Sequence, residues 1–474
     1  MAQIPFVGAS YRERSRNLDA QACINLFPVL GESGTSKGPV ALYSTPGTRP
    51  FVTLADGPVR AMYPPTDGGS LIVVAGPRVY RVSPAGVATI VSGIDSDSGL
   101  VSITDNGTQA VLVTGRSGYV LDLITNALTK IVDDAFYGAD FVAILDTFAI
   151  FNRPDTNQFY ISGSNAITFD ALDFASAETN FEPIVRHIVS HGELVIFKQT
   201  VTEIWRASGD PDFPFAKDAN AAIEQGCSAP WSVVRMDNSV FWLGSNTDGG
   251  GMVWRLNGYT PARVSTDAIE YAIASYGDVS DAVAYAYQQE GHTFYVLTFP
   301  RAGATWCYDV ATQMWHQRAY LDPATGILGR HRSNCHSFYA GMHLVGDYQT
   351  GSLYVLDLDY HYDGTDPMPS IRAAAHIAVP DYQWIIHHCL QVDLEVGESD
   401  QDGQGSAPVA LLDWSDDSGR TWSNKHPASM GLTGNYQKRV RWMRLGRARS
   451  RVYRITITDP VRRTIIGAAL NPEG

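Results

Sequence analysis

The chain is short of most features that announce a function. Only 18% of its 474 residues are charged, a scarcity that together with abundant turn formers and aromatics favours β-structure. Cysteine is scarce: Cys23, Cys227, Cys307, Cys335 and Cys389 are odd in number, far apart and include no C-x-x-C pair. That pattern argues against a disulfide-framed secreted scaffold and favours a reducing, cytoplasmic folding environment. No run of 18 apolar residues occurs, and the opening MAQIPFVGASYRERS has no apolar signal core. The expectation is a chain without a membrane span that is not exported by the general route. Walker loops, G-x-G-x-x-G fingerprints and H-E-x-x-H motifs are all missing. Helical periodicity is nearly absent too; only DAIEYAIASYG, residues 267–277, reads as a helix.

Turn formers and aromatics are plentiful: 43 Gly, 25 Pro, 23 Tyr and 10 Trp favour short strands joined by tight turns. From residue 58 the sequence falls into units of roughly forty residues, the period of a propeller blade. VRAMYPPTDGGSLIVVAGPRVYRVSPAGVATIV is followed by LVSITDNGTQAVLVTGRSGYVLDLITNALTKIV, with turn signals at Asp67-Gly68 and Asn106-Gly107. Further units start near Asp140, Ile184, Cys227, Ala282 and Arg332, and later strands carry Trp205, Trp254, Trp306 or Tyr354. The fold class is all-β: a six- or seven-bladed β-propeller over residues 58–364, followed by a small antiparallel β-sandwich over 365–474. Asp363-Gly364, Pro367 and Pro369 mark the boundary, and CLQVDLEVGES, PVALLDWS, KRVRWMRLG, RVYRITITDP and RTIIGAAL supply the sandwich strands. Residues 1–57 have little periodicity and read as an extended N-terminal arm that adds a strand to the propeller or to a neighbour.

Several motifs invite a chemical reading. DWSDDSGRTWS places Ser415, Asp417, Gly419, Thr421 and Trp422 in the S-x-D-x-G-x-T-W spacing of the Asp box, common in sialidases and other glycan-cleaving propellers. The spacing suits a hairpin in which Ser415 and Asp417 bond turn amides, Gly419 takes a positive φ and Trp422 packs beneath. A sialidase also needs an arginine cluster and a tyrosine–glutamate pair, and its opening Arg-Ile-Pro is Gln3-Ile4-Pro5 here. The box therefore reads as a structural staple, with a glycan-acting enzyme or lectin kept as the alternative. GTSKG, from Gly34 to Gly38, matches a nucleophile elbow, but Pro39 follows Gly38 and no helix does. His387-His388-Cys389 begins a strand, whose alternating side chains do not gather on one ion. The set His331, Cys335, His336 has plausible metal spacing but no fourth ligand nearby, so structural or surface histidines are the reading. DSDSG (95–99) and ESDQDG (398–403) read as solvated turns rather than calcium loops. The expectation is no catalytic residue, no cofactor and no metal.

Charge is the most informative pattern. The net charge of −14 argues against a general nucleic-acid binder. Residues 438–463 nevertheless hold ten Lys or Arg against Asp459, so that window is +9 and the remainder −23. Alternation places Val440 and Trp442 on one face and Arg439 and Arg441 on the other. One reading is a solvated face paired to acids such as Asp393 and Glu395. The other is an assembly interface made by Arg439, Arg441, Arg444, Arg447, Arg449 and Arg451 to an acidic neighbour subunit, since arginine suits bidentate pairing with carboxylates, or, as the second choice, to DNA phosphate.

Taken together, HHCLQVDLEVGES, LLDWSDDSGRTWS and KRVRWMRLGRARSRVYRITITDP resemble the C-terminal signature of the packaged-DNA-stabilisation, or tail hub (nozzle), proteins of short-tailed bacteriophages. VGASYRERSRNLDAQACINLFPV and ALYSTPGTRPF, with Asn25, Pro46 and Gly47, resemble that family's opening, and TWCYDVATQMWHQR its late-propeller motif. The resemblance implies a structural virion tail protein assembled in the host cytoplasm. It implies a self-associated homohexameric ring below the portal and its head-completion adaptor. Such a ring continues the DNA channel, retains genomic DNA until ejection without sequence-specific binding, and carries tailspikes or fibres and a plug or needle.

Overall fold

The computed structural model describes residues 2–33, 35–219, 221–247, 249–400 and 402–471. Among them the chain forms seven successive antiparallel sheets arranged in a ring, then a two-sheet sandwich, with one α-helix at Asp267–Ala274. That helix turns Ala268, Ile269 and Ile273 inward, and Asp267 and Glu270 in its first turn pair with Arg263 at 2.6 and 2.5 Å.

The ring follows from strand alternation. The first sheet holds Val59–Tyr63, Leu71–Ala75, Arg78–Val82 and Ala88–Gly93. Its second strand, Leu-Ile-Val-Val-Ala, is apolar at every position because both of its faces are covered. Ile72 and Val74 pack on Ala110 and Leu112 of the second sheet. Leu71 and Val73 point the other way, onto Leu344 and Leu353 of the seventh. The same two-sided packing repeats. Val111 meets Phe151 between sheets two and three, and Ile150 meets Leu194 between three and four. Phe197 meets Trp242 between four and five, Phe241 meets Tyr295 between five and six, and Val296 meets Val345 between six and seven. Contact between the seventh and first sheets closes the circle. Sheets three, four, five, six and seven begin at Val142, Arg186, Gly226, Val283 and Ser333, beside the unit starts read from the sequence. The Asn106-Gly107 turn forms as expected: Asn106 accepts the Thr108 and Gln109 amides, and Gly107 takes φ +88°.

Residues 2–53 are taken up by both domains. Gly47–Thr53 is hydrogen-bonded to Ser352–Asp357 as a strand of the seventh sheet. Ala20–Ile24 lies parallel to the last strand of the sixth sheet (Ile24 opposite Gln317) and antiparallel to Ser370–Ala373, so a propeller sheet runs directly into a sandwich sheet. Leu26–Leu30 and Val40–Ser44 join the other sandwich sheet beside Thr464–Leu470, which also pairs with Ala2–Ile4. Between the two segments Asn25 adopts φ 53°; its side-chain amide donates to the carbonyls of Ala319 and Pro369 at 2.8 and 2.9 Å and accepts the Ala319 amide at 2.9 Å. Buried Arg372 donates to the carbonyls of Phe6 and Ala9 at 2.7 and 2.8 Å, tying the first residues to the boundary strand. The sandwich core combines Leu26 and Leu42 from the arm with Leu390, Val440, Tyr453 and Ile455.

Candidate functional site

The sandwich divides the basic window into two sets. In strand Val440–Met443, Val440 and Trp442 are buried and Met443 faces out, as the alternation requires. Arg441 is half-buried along the sheet and donates to Gln391 Oε1 at 2.6 Å. Arg444 (φ 60°) and Gly446 (φ 77°) then reverse the chain around buried Leu445, with the Arg444 amide on the His388 carbonyl at 2.7 Å. Arg447–Ala448 pairs with Ile385–Ile386, and Arg447 and Arg449 remain exposed. Arg451 is a correction to the sequence expectation. Its side chain is only 3% exposed and grips Asp416 with two bonds of 2.6 and 2.8 Å, so it is an internal strut and cannot reach a partner. Burial opposes its charge, but the Asp416 carboxylate more than compensates and holds its pKa above the ordinary arginine value. Arg454 likewise pairs with Asp413 and lies 3.7 Å over the Trp422 ring. Arg463 is buried on the carbonyls of Met368 and Asp459. The two acids named as partners for the strand arginines are engaged elsewhere: Asp393 by Lys37, Glu395 by Arg462 at 3.9 Å. Among the described residues no ion pair reaches Arg439, Arg441, Arg444, Arg447 or Arg449.

Sequence reasoning missed what surrounds the free arginines. Trp384, 54% exposed, lies under both Arg447 and Arg449, with guanidinium-to-ring distances of 4.8 and 5.1 Å. Val379, Tyr382, Ile386 and Met443 are exposed on the same lobe. Register joins them: Ile386 opposes Arg447, and Met443 opposes Cys389 three residues further along. Tyr382 is held at φ 48° by a turn that projects its ring outward. Aromatic residues and arginines around a desolvated centre are the side chains that dominate protein–protein binding energy.

The Asp box is a hairpin staple in the sandwich. Ser415 Oγ accepts the Gly419 amide at 2.7 Å and donates to Asp417 Oδ1 at 2.7 Å. Asp417 accepts the amides of Arg420 and Thr421 and the Thr421 hydroxyl. The Thr421 bonds, then Ser415, hold the Asp417 carboxyl well below the usual carboxylate range. The Ser415 hydroxyl, the Asp417 carboxylate and the Thr421 hydroxyl are all used inside the turn, and Arg16 from the arm caps it through the Gly419 carbonyl at 3.2 Å.

The remaining candidates are structural. His331 bonds Ser333 at 2.7 Å, His336 bonds His343 at 3.1 Å, and His387 bonds the Tyr453 hydroxyl at 2.8 Å. Burial lowers the first two to about 3 and His387 to about 4, so all three are neutral imidazoles. Among the described residues no three His, Cys, Asp or Glu side chains converge on a metal position. The 95–99 loop already wraps a cation: Arg60 donates to the carbonyls of Ser96, Ser98 and Gly99 at 2.6 Å each. Gly34 of the GTSKG match and Gln401 of the 398–403 loop lie outside the described residues; Ser36 of that match bonds the Gly38 carbonyl at 2.8 Å. A cleft of about 460 Å³ between the seventh sheet and the sandwich is lined by Phe27, Tyr43, His361, Glu395 and Arg462. Within it Arg462 pairs with Asp359 at 3.3 Å and with Glu395 at 3.9 Å.

Comparison with known proteins gives one family. A family model described as bacteriophage P22 Gp10, beta-propeller, in the phage-stabilisation class, matches residues 2–361. A second, described as bacteriophage P22 Gp10, beta-sandwich, matches residues 371–473. No curated protein sequence matches the chain. Among solved structures, PorZ, a surface component of the type-IX secretion system of Porphyromonas gingivalis, is 13% identical with a TM-score of 0.39. The match covers 79% of this chain and 46% of PorZ, so the chain spans less than half of that protein's length. The WD40 beta-propeller domain of Doa1 is 10% identical with a TM-score of 0.39, covering 65% of this chain and 96% of that domain.

Proposed function

Because the chain belongs to the bacteriophage P22 Gp10 family, a phage structural protein that stabilises packaged DNA, we propose that it is a ring-forming tail hub. In this reading six copies below the portal and its head-completion adaptor continue the DNA channel and retain the genome until ejection. The same ring anchors tailspikes or fibres and a tail plug. The observation that carries the proposal is the pair of consecutive family matches, which between them account for both the propeller and the sandwich.

Charge supports it. Outside residues 438–463 the chain carries −23, the sign that repels DNA phosphate and lets a duplex slide past without adhering. Arg439, Arg444, Arg447 and Arg449 are exposed and free to dock on an acidic neighbour, whereas Arg451 serves the interior. The glycan-acting alternative has no support of its own, since the Asp box is consumed by its hairpin and lies outside the propeller.

The test is quantitative mass spectrometry of purified particles from the virus that encodes this chain, calibrated against the portal protein. A copy number matching a sixfold or twelvefold ring is expected. Absence of the chain from particles would remove the hub reading.

A further inference from the structure

The arginine lobe has a counterpart elsewhere on the same chain. The outermost strand of the third sheet, Phe169–Ser176, pairs with Gln158–Ser162. Ser162 opposes Phe169 and Tyr160 opposes Phe174, so residues 170–173 have only Ile161 across from them and bulge outward. The bulge reads Asp-Ala-Leu-Asp, with Leu172 81% exposed between its two carboxylates and Phe174 partly exposed behind. Among the described residues no cation pairs with Asp170 or Asp173. Partial burial, then the charge of Asp170, raises the Asp173 carboxyl above its usual range; these two anions crowd each other. The bulge and its two carboxylates blunt this edge against strand pairing, so what it offers a partner is the exposed Leu172 side chain with an anion on each side.

The two surfaces sit at opposite ends of the molecule. The sandwich is joined to the ring through sheets six and seven. Going round the circle, sheet three is equally far from sheet six in one direction and from sheet seven in the other, so it is the sheet opposite the sandwich. Neither surface can satisfy the other within one copy. Complementary patches at opposite ends of one subunit make a head-to-tail contact, which closes into a ring when the rotation between copies permits.

Building on the tail-ring reading above, we propose that the subunit contact is this one: the lobe around Trp384 of one copy receives the Asp170–Asp173 bulge of the next. Leu172 packs on the apolar surface of Trp384, Ile386 and Met443, and Arg447 and Arg449 pair with the two carboxylates. Both complementarities, apolar with apolar and cation with anion, select a second copy of this chain over a nucleic acid. The bulge is acidic, and the lobe centres on apolar surface rather than on a basic groove.

The test places a photo-crosslinking benzoyl-phenylalanine at Trp384, and separately at Met443, in chains incorporated into virus particles. After irradiation the joined peptides are identified by mass spectrometry. The expected product is a dimer of this chain joined to the peptide containing residues 169–176. A crosslink to a different protein, to another segment of a second copy, or from neither position overturns the proposal. If the chain is present at ring copy number in those particles, the hub reading survives that failure; if the chain is missing from particles, the hub reading falls too. A charge exchange checks the pairing. Arg447→Glu with Arg449→Glu is expected to cut incorporation by about tenfold or more, and adding Asp170→Arg with Asp173→Arg to restore most of it. Circular dichroism of each variant should match the starting protein. Failure of the second pair to restore incorporation also overturns the assignment.

Discussion

The propeller and the sandwich are made of similar strands but assembled by opposite rules. In propeller sheets one to four each strand pairs with a neighbour in sequence, as Leu71–Ala75 does with Arg78–Val82. In the sandwich the partners come from the two ends of the chain: Ala2 faces Leu470, and Leu42 faces Ile465. The polar interiors differ accordingly. The propeller buries several neutral histidines, His187, His316 and His331, where the sandwich, among the described residues, buries His387; the propeller's own buried Arg60 bonds carbonyls of a neighbouring loop. At the sandwich junction buried Arg372 and Arg463 bond backbone carbonyls of distant segments, Phe6 and Met368, while Arg451 bonds the nearby Leu445 carbonyl. Local pairing needs little help to find its register, whereas long-range pairing is pinned by side chains with several fixed donors.

Acid should break this comparison most strongly. Burial lowers His187 and His331 to about 3 and His316 well below its ordinary value, so the folded propeller keeps them neutral. In the unfolded chain they take up protons near the ordinary histidine value of about 6.5. The unfolded state therefore binds more protons below that pH. Stability is full above about 6.5 and falls as pH drops towards about 3. Hydrogen exchange compared at pH 7 and about pH 4.5 should show the propeller losing protection before the sandwich; simultaneous loss would mean that the two domains unfold as one unit.

A substitution at the seam comes next. A Cβ on Gly47 would lie 2.0 Å from the Tyr360 carbonyl oxygen and 2.6 Å from that of Tyr362. Gly47→Val should remove more than about 4 kcal/mol, because backbone on both sides must move. Denaturant unfolding would measure it, and limited proteolysis would show whether the seventh sheet opens alone. Arg372→Met leaves the Phe6 and Ala9 carbonyls without their donor and should cost about 3 kcal/mol, with the first residues becoming protease-sensitive. The smallest change is Ser415→Ala, about 1 kcal/mol for the lost Gly419 contact, confined to sandwich unfolding.

What could be read from the sequence divides along the same line. Alternation in Leu71–Ala75 and Cys389–Leu394, the forty-residue spacing and the apolar face of the 267–274 helix are local signals, and they placed the elements. For the N-terminal arm the strand added to the propeller was legible, and it is Gly47–Thr53; the arm's pairings in the sandwich were not, because the partner of a strand at Ala2 is chosen hundreds of residues away. Parity did carry one unused clue: Arg451 shares its strand face with Tyr453, Ile455 and Ile457, all buried, which already points its side chain inward. The Trp384 lobe left no periodic trace, since it is assembled from a turn, a two-residue strand and a reversal at Arg444.

The pairing of Ala2–Ile4 with Thr464–Leu470, beside the Gly47–Thr53 strand that completes the seventh sheet, has a consequence for how the subunit is made. Gly47–Thr53 must wait unpaired until residues 352–357 are made, and Ala2–Ile4 until residues 468–470 are. A nascent chain that stops before residue 352 carries an open circle and an unfinished sandwich at once, and one that stops later, short of residue 468, still lacks the finished sandwich. The architecture thus acts as a proof of length, and translation products that end prematurely are withheld from any assembly that needs both domains closed.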